Sequence, residues 1–146
     1  MAFAAGLALS MSVHAYDLDQ HAWRDRLLIV AAPQAGDAAV TQQLEAITLR
    51  SDAIQDRRLK VIELYADRGA IDGEPLRDGD VAQLRRHYGV AADERVMLLI
   101  GLDGRVKRRA ALGAELRELF VQIDEMPMRQ SEIRAKRAAG EFVTPP

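Results

Sequence analysis

The chain has 146 residues, 49% of them hydrophobic and 29% charged, with a formal net charge of −2 at neutral pH. That length suits one domain with a proper core and is short for two, and the composition is globular rather than disordered. A near-neutral charge gives no electrostatic basis for nucleic-acid binding or membrane attraction, and without cysteine the chain can form no disulfide, thiolate nucleophile, cysteine-ligated zinc or iron–sulfur site.

Met1 to Ala15 are mostly small and apolar and contain no Lys or Arg. Val13-His14-Ala15 fits a small-x-Ala cleavage pattern, and the chain turns polar at Tyr16-Asp17. The pattern predicts an export signal over 1–15 and a periplasmic or secreted protein with no stable membrane insertion after cleavage. It lacks the basic start of such signals, and an N-terminal core helix is the alternative. No later stretch has the roughly 20 apolar residues that a bilayer span needs. Residues 16–139 then form a single domain, followed by a flexible tail at 140–146.

Trp23, the only tryptophan, is expected to lid the core edge with its indole N–H partnered. Leu27-Leu28-Ile29-Val30-Ala31, stopped by Pro33, reads as a strand buried on both faces. Asp37 is placed to cap the next helix, whose stripe of Val40, Leu44, Ile47 and Ile54 runs to about Asp56-Arg57-Arg58. Leu59 to Leu64 is a second strand, wetter at Lys60 and Glu63. Asp67 to Asp80, with three glycines and Pro75, reads as a surface loop. Val81, Leu84 and Tyr88 mark a short helix stopped by Gly89.

Val96 to Ile100 is five apolar residues in a row, the most buried strand. Asp103-Gly104 supplies a hairpin turn, and Arg105-Val106-Lys107-Arg108-Arg109 returns as a basic edge strand that discourages edge-to-edge pairing. Leu112, Leu116, Leu119, Phe120 and Ile123 form an amphipathic helix. Pro127 suits the first turn of a new one, so the helix restarts at Glu125-Met126-Pro127 and runs to about Ala139.

The order βαβαββα, with a C-terminal helix added, predicts an α/β protein: a thioredoxin-like three-layer sandwich around a mixed four-stranded sheet. The first two strands lie parallel through a right-handed crossover, the third beside the first, and the fourth at an antiparallel edge. A flavodoxin-like parallel sheet would need a crossover between the last two strands, which so short a turn cannot supply.

The segment Leu99-Ile100-Gly101-Leu102-Asp103-Gly104-Arg105-Val106-Lys107, paired with Ile123-Asp124-Glu125-Met126-Pro127-Met128-Arg129, resembles the bacterial family called domain of unknown function 4174, over roughly 23–134. The family is similar to domains of animal extracellular-matrix proteins with sushi repeats. The resemblance implies an exported thioredoxin- or peroxiredoxin-like domain and supplies no catalytic residue. The thioredoxin active site would fall at Pro33 to Asp37, where there is no thiol for exchange. Thioredoxins carry a cis-proline before the third strand, and Asp93-Glu94-Arg95-Val96 has no proline. Arg95 resembles the arginine that flanks the peroxidatic cysteine of peroxiredoxins.

Two candidate sites follow. Arg95, with Gln34 and Gly36 at the start of the first helix, could hold an anion, because helix N-termini favour negative charge. The plainer reading pairs Arg95 with a surface carboxylate, Asp37 already occupying the helix end. Lys107, Met126, Met128 and Arg129 could dock a protein partner in the cell envelope, since methionine adapts at interfaces; packing of the last helix and a solvated edge lysine are the alternatives. Arg129, Arg134, Lys136 and Arg137 lack interleaved aromatics and read as a solvated face. The histidines do not cluster and no metal-ligand spacing, phosphate loop or nucleophile elbow is present, so the sequence predicts no metal, no cofactor and no catalytic residue. The expected role is a redox-inactive binding or structural module; the alternative is a cysteine-independent enzyme or anion-binding protein centred on Arg95.

Overall fold

The computed structural model describes residues 16–146, so the expected export segment 1–15 lies outside the described residues. The strands are β1 (Arg26–Ala31), β2 (Leu59–Leu64), β3 (Gly69–Ile71), β4 (Glu74–Pro75), β5 (Val96–Ile100) and β6 (Val106–Ala110). The helices are α1 (Ala38–Thr48), α2 (Ser51–Asp56), α3 (Asp78–Tyr88), α4 (Leu116–Asp124) and α5 (Pro127–Ala138). One sheet runs in the order β4-β3-β2-β1-β5-β6.

The two apolar runs sit side by side at its centre. β1 is parallel to β2, with Leu28 opposite Val61, and antiparallel to β5, with Leu28 opposite Leu99. Every residue of β1 and β5 is buried, as unbroken apolar runs require when helices cover both faces. Alternation then sorts the side chains into two cores. Leu28, Val30, Met97 and Leu99 pack with Val40, Ile47, Ile54 and Phe120 from α1, α2 and α4. Leu27, Ile29, Leu98 and Ile100 pack with Val81, Leu84 and Tyr88 from α3. Helices on either side of one sheet make the expected three layers.

Four details depart from the sequence reading. The sheet has six strands, because Asp67 to Asp80 contains the hairpin β3–β4. Its turn is Asp72-Gly73, both at positive φ, and the Asp72 carboxylate accepts the Val61 N–H at 2.9 Å. The first helix breaks at Leu49-Arg50, where bonding switches to Arg50 N–H on Ile47 C=O; the restart lets both Ala53 and Ile54 face the core. The β5–β6 connection is five residues, Gly101 to Arg105, closed by Gly101 N–H on Arg105 C=O at 2.9 Å. Finally, the tail is docked rather than free: Arg57 donates to Thr144 C=O at 3.1 Å, and Thr144 N–H donates to Asp56 at 3.3 Å.

Candidate functional site

At the carboxyl end of β1 the chain turns through Pro33 to Asp37 into α1. Asp37 Oδ1 accepts the Ala39 N–H at 3.0 Å, the cap expected from sequence, and its Oδ2 accepts from Arg95 Nε at 2.6 Å. One carboxylate therefore satisfies both the helix end and the arginine. The Arg95 hydrogen bond holds the Asp37 carboxyl below its usual range. The Arg95 side chain is 56% exposed, and Gln34 contributes only a backbone carbonyl, to Asp37 N–H at 3.2 Å. Arg95, Gln34 and Gly36 are neighbours, but Asp37 stands at the helix start, where an anion would sit, bonded to both the Ala39 N–H and Arg95 Nε. Beneath this end, buried Arg85 clamps carbonyls of Leu64, Tyr65 and Ala91, tying α3 to the strand ends.

The other candidate residues lie at the opposite end of the sheet. Lys107 Nζ donates to Asp103 at 2.7 Å, and Asp103 also accepts the Arg105 N–H at 3.2 Å. The Lys107 stem crosses Gly101 so closely that a Cβ there would meet it, and Gly104 takes a φ of +74°. The Gly-Leu-Asp-Gly-Arg-Val-Lys segment is thus a self-bonded hairpin whose glycines admit the lysine and the turn.

Arg129 corrects an expectation. It is 0% exposed and offers no docking contact. Its Nε donates to Asp124 at 3.0 Å, and its Nη1 to Asp56 C=O at 2.8 Å, while Nη2 binds the Asp56 carboxylate. It belongs to a network under α5 that includes Arg26, Arg57, Arg58, Lys136 and Glu132. Burial pushes the Arg129 pKa down, but its bonds to Asp56 and Asp124 win and raise it. Burial likewise pushes Asp56 and Glu132 up, and the surrounding cations bring both below the ordinary carboxylate range.

Met128 does come to the surface near Lys107, whereas Met126 is half-buried and packs against the core as well as facing this end. With Trp23, Leu102, Pro127 and Arg26 they line a cavity of about 160 Å3, Asp103 and Lys107 completing its wall. Trp23 is 65% exposed rather than a lid on the core. It is held at a φ of +62°, with its backbone N–H donating to Leu102 C=O at 2.7 Å. The sequence reading missed Trp23, Leu102 and Arg26 as cavity residues. The only available signal was an arginine at the start of a fully apolar strand. A wider groove of about 750 Å3 lies between α1–α2 and β2–β3, where Lys60 pairs with Asp72 at 2.9 Å. No group of three or more potential metal ligands occurs among the described residues, and no helix among them is long and apolar enough to cross a membrane.

The fold is similar to that of peroxiredoxins. The reduced 2-Cys peroxiredoxin of Plasmodium vivax matches with a TM-score of 0.58 at 15% identity, covering 84% of this chain and 72% of that one. Thioredoxin peroxidase I of Plasmodium yoelii matches at 0.56 and 16% identity, covering 86% and 82%. At such identity the likeness concerns fold alone. In sequence, coiled-coil domain-containing protein 80 of Danio rerio is 26% identical over 140 residues, covering 84% of this chain. The chain spans only 16% of that relative's length. The model of the domain of unknown function DUF4174 matches residues 17–132, and the chain belongs to that family.

Proposed function

We propose that this chain is an exported, redox-inactive binding module, a thioredoxin-like scaffold that meets an envelope partner through the surface around Trp23, Met126 and Met128. One observation carries the reading: apolar side chains are exposed together at that end, Trp23 at 65% and Met128 at 50%, around a cavity. Exposed aromatic and methionine side chains around a concavity are the ordinary make-up of a contact surface. The end that houses thiol chemistry in thioredoxins has no thiol here and is closed by Asp37 and Arg95. The alternative, a cysteine-independent enzyme or anion site at Arg95, is less favoured because the Asp37 carboxylate already holds Arg95 Nε and occupies the helix start. Export is supported by the apolar composition of residues 1–15 and by Tyr16, which is already part of the fold: its C=O accepts from Gln83 at 2.9 Å.

The test is cross-linking in a native envelope extract, followed by sizing of the purified complex. Converting the exposed Met128 to Gln should abolish a stable complex while leaving the fold intact. A complex that survives that change removes the proposed surface. Amino-terminal sequencing of the mature protein should begin at Tyr16; a retained residue 1 in a cytosolic fraction would end the export reading.

A further inference from the structure

The chain has no cysteine, so its methionines hold its only sulfur, and the fold grades the three among the described residues steeply. Met97 lies in the central strand β5 at 1% exposure. Met126 is half-buried and packs against the core. Met128 is 50% exposed and lines the cavity beside Trp23. Susceptibility to oxidation follows access to the sulfur, so Met128 is where an oxidant meets this protein first. It also belongs to the proposed contact surface. In the free chain half of its surface stands in water, so a polar sulfoxide there is hydrated and costs the fold little. Under a partner the same oxygen would be covered. The cations on that wall are already committed, Lys107 to Asp103 and the Arg26 terminal nitrogens to Glu132, so neither is free to bond it. A covered acceptor without a donor opposes binding.

We propose that Met128 is a reversible oxidation site that switches the contact surface off: a peroxide converts its thioether to the sulfoxide, and a sulfoxide reductase returns it. The inference rests on the binding-module reading and names the regulation of that surface. In the forward step a sulfur lone pair attacks one peroxide oxygen and the O–O bond breaks. The new S–O bond forms as the proton of the attacked oxygen passes to the leaving hydroxide, which departs as water. Sulfur loses two electrons and the peroxide gains them. In the return step a reductase dithiol supplies two electrons and two protons, the oxygen leaves as water, and the dithiol becomes a disulfide. The side chain thus alternates between a flexible apolar group suited to an interface and a polar one that is not.

The test treats the full chain with dilute hydrogen peroxide and follows each methionine by peptide mass spectrometry. Met128 should gain one oxygen at least about tenfold faster than Met126 or Met97 in the folded chain, and at a similar rate to both once urea removes the fold. The chain oxidised at Met128 alone should keep its thermal midpoint. Its complex with the envelope partner should weaken by about tenfold or more, and incubation with sulfoxide reductases for both epimers should restore it. Met128→Leu has no sulfur at that position, so peroxide should leave its affinity where the untreated variant has it, whatever that starting value. Equal oxidation of Met126 and Met128 in the folded chain overturns the proposal. So does a complex that persists with Met128 oxidised, or one that peroxide weakens as much in Met128→Leu as in the unaltered chain. A complex that is lost in Met128→Gln yet ignores oxidation removes the switch and leaves the binding module standing. A complex indifferent to Met128→Gln without any peroxide removes the contact surface and the switch with it.

Discussion

Replacing Arg129 with Met tests the reading of the segment that the sequence had marked for docking. Met matches the length of the arginine stem and leaves the packing, so the change removes the guanidinium alone. Three charge-assisted hydrogen bonds go with it, to Asp56 C=O, the Asp56 carboxylate and Asp124. At about 1.5–3 kcal/mol each, their sum is an upper bound. Asp56 keeps Lys136 and Asp124 keeps Arg57, so neither carboxylate is fully orphaned. The expected loss is therefore about 3–5 kcal/mol, the range for breaking one side of a buried ion pair. It corresponds to a fall of roughly 10–20 °C in thermal midpoint for a domain of this size. Urea unfolding followed by circular dichroism measures it, with an unchanged m-value as the sign that compactness is preserved. Arg129→Lys keeps the charge but not the planar fork, and should recover only part of the loss. A destabilisation by Arg129→Met below about 1 kcal/mol would refute the structural role, and with it the claim that this arginine cannot face a partner.

Four further outcomes are expected. Asp37→Ala should cost about 1 kcal/mol through the lost α1 cap, whereas Arg95→Gln, breaking only an exposed pair, should cost less than that in the same urea titration. Gly69→Ala should destabilise by more than about 1 kcal/mol, because the new Cβ would lie 2.6 Å from the backbone oxygen of Glu63, which cannot swing away as a side chain can; an unchanged midpoint would count against the β2–β3 register. Removing residues 141–146 should lower stability by about 1–2 kcal/mol through the lost Thr144 bonds to Arg57 and Asp56; an equally stable truncated chain would mean that the tail is free in solution. Stability should hold from pH 7 to 5 and fall below about pH 4: folded Asp56 and Glu132 have lowered pKa values, so the unfolded chain, near 4, binds more protons as pH drops and gains ground. A flat profile of unfolding midpoints down to pH 3 would contradict this.

What the amino-acid order determined by itself was the framework. Unbroken apolar runs at 27–31 and 96–100 have nowhere to go but the middle of a covered sheet, and Pro127 and Gly89 act through their own backbones, so their effects are local and legible. The same logic was available at Asp72-Gly73, which is as good a hairpin signal as Asp103-Gly104. It was hidden because β3 and β4 have three and two residues, too few for any alternation to show. Tertiary structure alone decided the site. Arg129 looks like one more cation on a polar helix until Asp56, 73 positions away, is brought against it. Trp23 looks like core until the Leu102 carbonyl fixes its backbone and turns the indole out. Periodicity reports which face of an element is apolar; which distant charge or carbonyl will stand opposite it depends on how the elements meet, and no local pattern encodes that.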